Sequence, residues 1–438
     1  MPLLAIVAFA GLPSCASFTP VKSPPPEAMH PAIDFAAGDE RLRLWREDID
    51  TCERWLLERH AGVDVFASRD QLRDCFERLR SDLPTLRDDQ IVVRLQSITT
   101  SIGSAHTGIW PSRGALVPRR LPISVRCLSD GVLVTATDDE SAALRGGQAM
   151  RIEGTDIAEV LAAIATITPH ENEWYLRSEG ARTIVQAETL RGLGIVSDAG
   201  RVPVTVRHAD GSEITLVVRP REHGESWALV GAVPAGTAPF SLGPRPGGRA
   251  HGSKRLSDSD LLYVWYDRCA DDGDHTVSAF GRAVLREIDE TKPRAVVFDL
   301  RRNGGGNSGL LRPLIDGFAD RSINAPNRLF VLIGPATFSS AGLNAEEFRR
   351  ATKATLVGEP TGQRPRSWME VRYDWLPNSL MQLNYMLVAP EFRPGSPVAV
   401  MPDELVKGRI DDARAGRDAA LDRAVELSAG WRRAPAAP

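Results

Sequence analysis

Ser339 and Ser340 stand where a short apolar run gives way to a helical stretch. Three glycines, Gly304 to Gly306, follow the apolar run before it. The runs 295–299 and 328–333 are short, rich in Val, Leu and Phe, and bounded by breakers, which predicts buried parallel strands. Two helix N-termini then open at one end of one sheet, where α/β folds place their sites. One offers bare backbone N–H groups and the other a hydroxyl, a pairing that suits an oxyanion hole and a nucleophile. The residues alone leave a second reading open, because either serine is also a favoured N-cap for the helix through Arg349.

The glycines carry a rival chemistry. Gly304, Gly306 and Gly309 satisfy G-x-G-x-x-G between a strand and a helix, the dinucleotide fingerprint. That fingerprint needs an acidic residue at the end of the next strand to hold the ribose. The next strand ends Ile333-Gly334-Pro335 instead, and no Gly-Lys-Ser/Thr follows to make a phosphate loop of the NTPase type.

Three motifs occur together and in order: Asp299-Leu-Arg-x-Asn-Gly-Gly-Gly306, Thr337-Phe-Ser-Ser-Ala341 and Val357-Gly-Glu-Pro-Thr-Gly362. With them the chain resembles the tail-specific (C-terminal processing) serine peptidase family, in the branch that includes tricorn protease and interphotoreceptor retinoid-binding protein. In weaker form the resemblance runs from about Leu44 to Leu427. It implies an α/β fold with a crotonase-like catalytic core, an N-terminal helical domain and a β-rich PDZ-like domain. It makes Ser339 the nucleophile, and the N–H groups of Ser340 and of Gly304 or Gly305 the oxyanion hole.

One branch of the family activates its serine with a lysine in a Gly-Lys-Gly context. Here that place reads Gly362-Gln363-Arg364-Pro365, and an arginine stays protonated and cannot act as a base. The other branch uses a histidine, and of eight histidines only His106 has the matching context, Ile102-Gly-Ser-Ala-His106-Thr-Gly108. Family members often carry an acid two residues earlier, where this chain has Ser104. For the third member, a carboxylate that orients the histidine, Glu391 is the choice, with Glu370 and Glu359 as rivals. The resemblance implies a peptide or protein substrate and neither metal nor cofactor. A non-catalytic member that binds a peptide or an apolar ligand is the alternative reading.

Composition is that of a globular protein: 438 residues, 42% hydrophobic, 25% charged. The net charge of −4, without a basic stripe, argues against nucleic acid as a partner. The segment from Leu3 to Leu12 is apolar, and Leu12-Pro-Ser-Cys15 after it resembles a bacterial lipoprotein signal. The expectation is an exported protein, periplasmic or anchored to a membrane through lipid on Cys15, with a plain cleaved signal as the alternative. Cys52 and Cys75 fall in helical stretches of one small domain, where they could pair or stay as thiols.

The domains expected are a signal over 1–15, a linker over 16–38, a helical domain over 39–112 that delivers His106, and a β-rich domain over 113–222. A Gly- and Pro-rich linker or flap over 223–256 and the catalytic core over 257–428 complete the chain. The β-rich domain resembles a PDZ module, whose sheet edge can take a peptide strand, with 171–200 as an insertion.

Overall fold

The computed structural model of the chain describes residues 29–222, 225, 228–233, 241–365, 370–388 and 395–430. Cys15 and Glu391 lie outside the described residues.

Four helices, Gly38–Arg59, Val63–Phe66, Arg69–Asp82 and Asp88–Thr100, open the described chain. Leu44, Trp45, Ile49, Cys52 and Leu56 recur at helical spacing on the first and are buried against Leu72, Phe76 and Leu79 of the third. Ser68 caps the third helix, its hydroxyl accepting from the Gln71 N–H at 3.5 Å. Arg87 stands at the N-cap of the fourth helix, with the Gln90 side chain turned back to its N–H at 3.0 Å. Cys52 and Cys75 are both free thiols.

This helical unit is completed from far along the chain. The strand Gly108–Trp110 pairs with Gln382–Met386, which pairs with Val371–Trp375. Leu376, Met381, Leu383 and Tyr385 join the same apolar cluster as Trp45 and Phe76. Asp48, buried in the first helix, accepts the N–H groups of Asn378 and Ser379 at 2.9 and 2.8 Å.

The β-rich domain is an antiparallel sheet in the order Ile123–Leu128, Gly131–Thr137, Gln148–Ile152, Val202–Arg207, Glu213–Val218. Between its third and fourth long strands the chain makes the helices Ile157–Ala165, Glu173–Thr183 and Ala187–Gly192.

The core is a six-stranded sheet in the order Glu404–Leu405, Thr355–Gly358, Leu329–Ile333, Ala295–Asp299, Leu261–Tyr266, His251–Leu256. All neighbours are parallel except the last pair, so the stretch read as linker or flap ends in an edge strand. The central strands are buried on both faces. Leu262, Val264 and Tyr266 point to the cluster under the helices Val277–Thr291, Arg312–Ala319 and Ser340–Ala351. Leu261, Tyr263 and Trp265 point to the other face, against Ala420, Leu421 and Ala424 of the last helix. A period of two on a strand covered by helices on each side gives continuous apolar runs rather than alternation.

Candidate active site

Ser339 ends the turn after Leu329–Ile333 and stands at the N-cap of Ser340–Ala351. Its side chain makes no capping bond. Its backbone has φ 53° and ψ −130°, a conformation that costs a non-glycine residue on the order of 1–3 kcal/mol. The hydroxyl instead lies 3.3 Å from Nε2 of His106. Both residues are half-buried, so the pair is reachable. The cap and nucleophile readings therefore separate here. The Ser340 hydroxyl is engaged in the loop, donating to the Gly306 carbonyl at 2.6 Å.

The surroundings hold that strained turn. Thr337 Oγ1 donates to the Leu300 carbonyl at 2.9 Å and accepts the Gly334 N–H at 3.0 Å. The Asn303 carbonyl accepts the Phe338 N–H at 3.0 Å, and the Asn303 amide donates to the Tyr266 carbonyl at 2.7 Å. Gly305, at φ +110°, packs so close that a Cβ would come within 2.6 Å of the Ser339 Cβ. That Cβ would also sit 3.1 Å from both the Ser339 hydroxyl and the Ser340 nitrogen, so the space over Gly305 lies between hydroxyl and N–H. As first residue of its helix, Ser340 has no intrahelical acceptor for its N–H.

The Gly305 N–H is not free in the same way, because it donates to the Asn303 side chain at 2.9 Å. The Asn307 N–H goes to the Cys269 carbonyl at 2.7 Å and that of Gly309 to the Asn307 side chain at 3.0 Å. Three donors that a pyrophosphate would need are thus already bonded, which removes the physical basis of the dinucleotide reading.

Two motif residues serve the frame rather than the chemistry. Asp299, fully buried, accepts from the Arg301 guanidinium at 2.8 and 3.0 Å and from the Tyr263 hydroxyl. Arg301 also grips Asp418 at 2.7 Å, joining the loop to the last helix. Arg301 and the Ser241 hydroxyl together hold Asp418 well below the usual carboxylate range, against the opposing effect of burial.

His106 lies on the loop before Gly108–Trp110. Its ring stacks on Phe338 at 4.7 Å, and Phe338 stacks on Tyr175 at 4.3 Å. The backbone N–H of His106 donates to Ser104 Oγ at 3.2 Å, so Ser104 supports the loop. His106 Nδ1 faces Glu171 Oε1 at 3.9 Å, and both atoms are buried without a hydrogen-bond partner among the described residues. The other oxygen of Glu171 accepts the Arg364 N–H at 3.2 Å. Glu171 directly precedes Asn172, which caps Glu173–Thr183 and whose amide reaches the carbonyls of Thr361 and Val398 at 3.1 and 2.8 Å. The carboxylate facing the histidine thus comes from the stretch expected to be an insertion. Of the two described rivals, Glu359 is committed to Arg177 at 2.8 Å, and the Glu370 carbonyl accepts the Leu387 N–H at 2.8 Å, joining it to the strand pair of the helical unit. The Asn172 N-cap marks only the start of that helix, so no local signal in the sequence singles out Glu171.

No family model and no curated protein matches the chain. Among solved structures it is similar to mature CPAF complexed with lactacystin, at 14% identity and a TM-score of 0.62, over 88% of this chain and 98% of that one. It is similar to mature CPAF at 14% identity and a TM-score of 0.61, over 88% and 96%. A CPAF mutant with alanine in place of a serine matches at 14% identity and a TM-score of 0.63, over 90% and 99%. The likeness takes in the helical unit, the β-rich domain and the core together, so the chain has the fold of CPAF.

Proposed function

We propose that the chain is a serine peptidase of the tail-specific family, acting on a peptide or protein substrate. The observation that carries this is an N-cap serine that caps nothing, strained at φ 53°, with its hydroxyl 3.3 Å from a histidine ring nitrogen. Ser339 attacks the scissile carbonyl carbon while His106 Nε2 takes the hydroxyl proton. Negative charge gathers on the carbonyl oxygen and is met by the Ser340 N–H and a second N–H of the adjoining glycine loop. His106 then gives its proton to the leaving amine, and water repeats the sequence on the acyl-enzyme. Glu171 holds the ring by its Nδ1–H once a movement of about 1 Å closes the 3.9 Å gap to hydrogen-bond length. The core is read as crotonase-like and the β-rich domain as PDZ-like.

The test is covalent labelling of the full chain with a fluorophosphonate. Ser339→Ala should abolish labelling, whereas Ser340→Ala should keep it, since that hydroxyl only braces the loop. Labelling that persists in Ser339→Ala sinks the assignment, and a wild-type chain that never labels favours a non-catalytic binding protein. Export with lipid on Cys15 is part of the same proposal. Cys15→Ala should release the protein from membranes of its native host, and a wild-type protein wholly in the soluble fraction would rule the lipid out.

A further inference from the structure

The cavity of about 590 Å³ between the β-rich domain and the carboxyl ends of the core strands lies apart from the serine and histidine. The turn Gly334–Ala336 forms part of its wall, with Ser339 beyond that turn. Nine Arg and Lys side chains line it against four Asp and Glu. Those four carboxylates are already paired. Glu359 holds Arg177 at 2.8 Å, Asp299 and Asp418 hold Arg301 at 2.8 and 2.7 Å, and Asp412 holds Arg417 at 2.5 Å.

Three guanidiniums pair with no carboxylate among the described residues: Arg120, whose charged neighbour is Arg182, and the neighbouring pair Arg126 and Arg302. Arg126 projects from the edge strand Ile123–Leu128, with no hydrogen bond or ion pair among the described residues. Solvent reaches it through the cavity, while protein walls it on the remaining sides. Arg302 follows the strand Ala295–Asp299 and reaches only the carbonyls of Gly243, Ser241 and Leu242, at 3.0, 3.2 and 2.7 Å. Carbonyls satisfy its donors and leave its charge unanswered. Burial, with Arg301 next, lowers the Arg126 guanidinium from its ordinary value, and burial, with Arg245 next, lowers that of Arg302. Both side chains keep solvent exposure at the cavity mouth, and like charges held side by side there attract a counter-anion.

We propose that this cavity is an oxyanion site, in which Arg126 from the β-rich domain and Arg302 from the core hold one phosphate-class dianion between them. Two unanswered positive charges call for two negative ones, and the planar guanidinium fork matches paired oxygens. The ligand spans two units of the fold, so its binding stabilises their docking.

The experiment is calorimetric titration of the full chain with inorganic phosphate and, separately, phosphoserine and acetate, at fixed ionic strength. Inorganic phosphate or phosphoserine should bind saturably at one site and raise the melting temperature. Tighter inorganic phosphate assigns the free ion, and tighter phosphoserine assigns a phosphate carried on a larger molecule. Arg126→Ala should weaken binding about tenfold or more. It removes a side chain that bonds to no described residue, so the fold is kept. Arg73→Ala, at an exposed pair with Asp70, should bind as wild type does. Absence of saturable binding by both phosphate probes overturns the proposal, as does an Arg126→Ala variant that binds unchanged. Acetate binding as tightly as phosphate overturns the dianion.

Discussion

The turn that carries Ser339 and the loop that carries His106 meet at one point but are secured by different means. On the serine side Thr337, Asn303 and the Ser340 hydroxyl each close hydrogen bonds of 2.6 to 3.0 Å around a strained residue. On the histidine side the ring is set by stacking on Phe338, and its Nδ1 faces a carboxylate at 3.9 Å without bonding it. The serine side lies within one domain, between neighbouring parallel strands. The histidine side draws on two others, the helical unit for His106 and the β-rich domain for Glu171. On the proposed function, the nucleophile is built rigid by local bonds, whereas its base depends on how separate units dock.

Removing the ring should break this contrast most strongly. His106→Ala is expected to lower turnover about a hundredfold or more, with binding of substrate little changed. Full activity in that variant would mean that another base serves Ser339. Replacing Glu171 by Gln is expected to have a smaller effect, about tenfold on turnover and on the rate of fluorophosphonate labelling, with KM held. A Glu171→Gln chain as fast as wild type would move the orienting role elsewhere, and Glu391 would be the next residue to replace.

The smallest effect sharpens the comparison through stability. His60, at the end of the first helix, accepts the Gly62 N–H on Nδ1 at 3.0 Å, so its Nε2–H donates to Thr107 Oγ1 at 2.7 Å, beside His106. Burial pushes its imidazole down to about 4. In the unfolded chain a histidine titrates near 6.5, so between these values the unfolded state holds more protons. The stabilisation is whole above about 6.5 and is lost as pH falls toward 4, in total roughly 3 kcal/mol. Denaturant unfolding of wild type and His60→Gln at pH 7 and pH 4.5 should show a difference that shrinks at the lower pH. A difference that stays constant would show that this histidine does not carry the pH dependence.

The serine side was also the legible one. Its strands are continuous apolar runs, and the glycines and serines sit at fixed offsets from them, so local pattern marked the serine pair, while the family resemblance chose Ser339 between cap and nucleophile. His106 was legible only by its motif, since nothing local marks a loop histidine as a base. Glu171 was not legible as a partner. It is separated from His106 by three long strands of the β-rich domain and a helix, and only tertiary docking brings the two together. The strand His251–Leu256 was missed because its sequence, His-Gly-Ser-Lys-Arg-Leu, is that of a polar edge following a Gly- and Pro-rich stretch. The motif residues Asp299 and Arg301 were legible as a signature, but their role is a buried ion pair that fixes the loop.

The pairing of Gly108–Trp110 with Gln382–Met386 sets an order of events during synthesis. A chain leaving the ribosome exposes His106 first, yet the strand that anchors the loop beside it, Gln382–Met386, is made much later. At ordinary elongation rates the interval is on the order of tens of seconds. Throughout it the helical unit lacks Leu376, Leu383 and Tyr385 from its apolar core and the backbone donors that satisfy Asp48. Translation-arrested chains ending before residue 371 should therefore leave that unit open to added protease, whereas release of the whole chain should close it. The loop that carries His106 gains its neighbouring strand only once the distant segment Gln382–Met386 has been made.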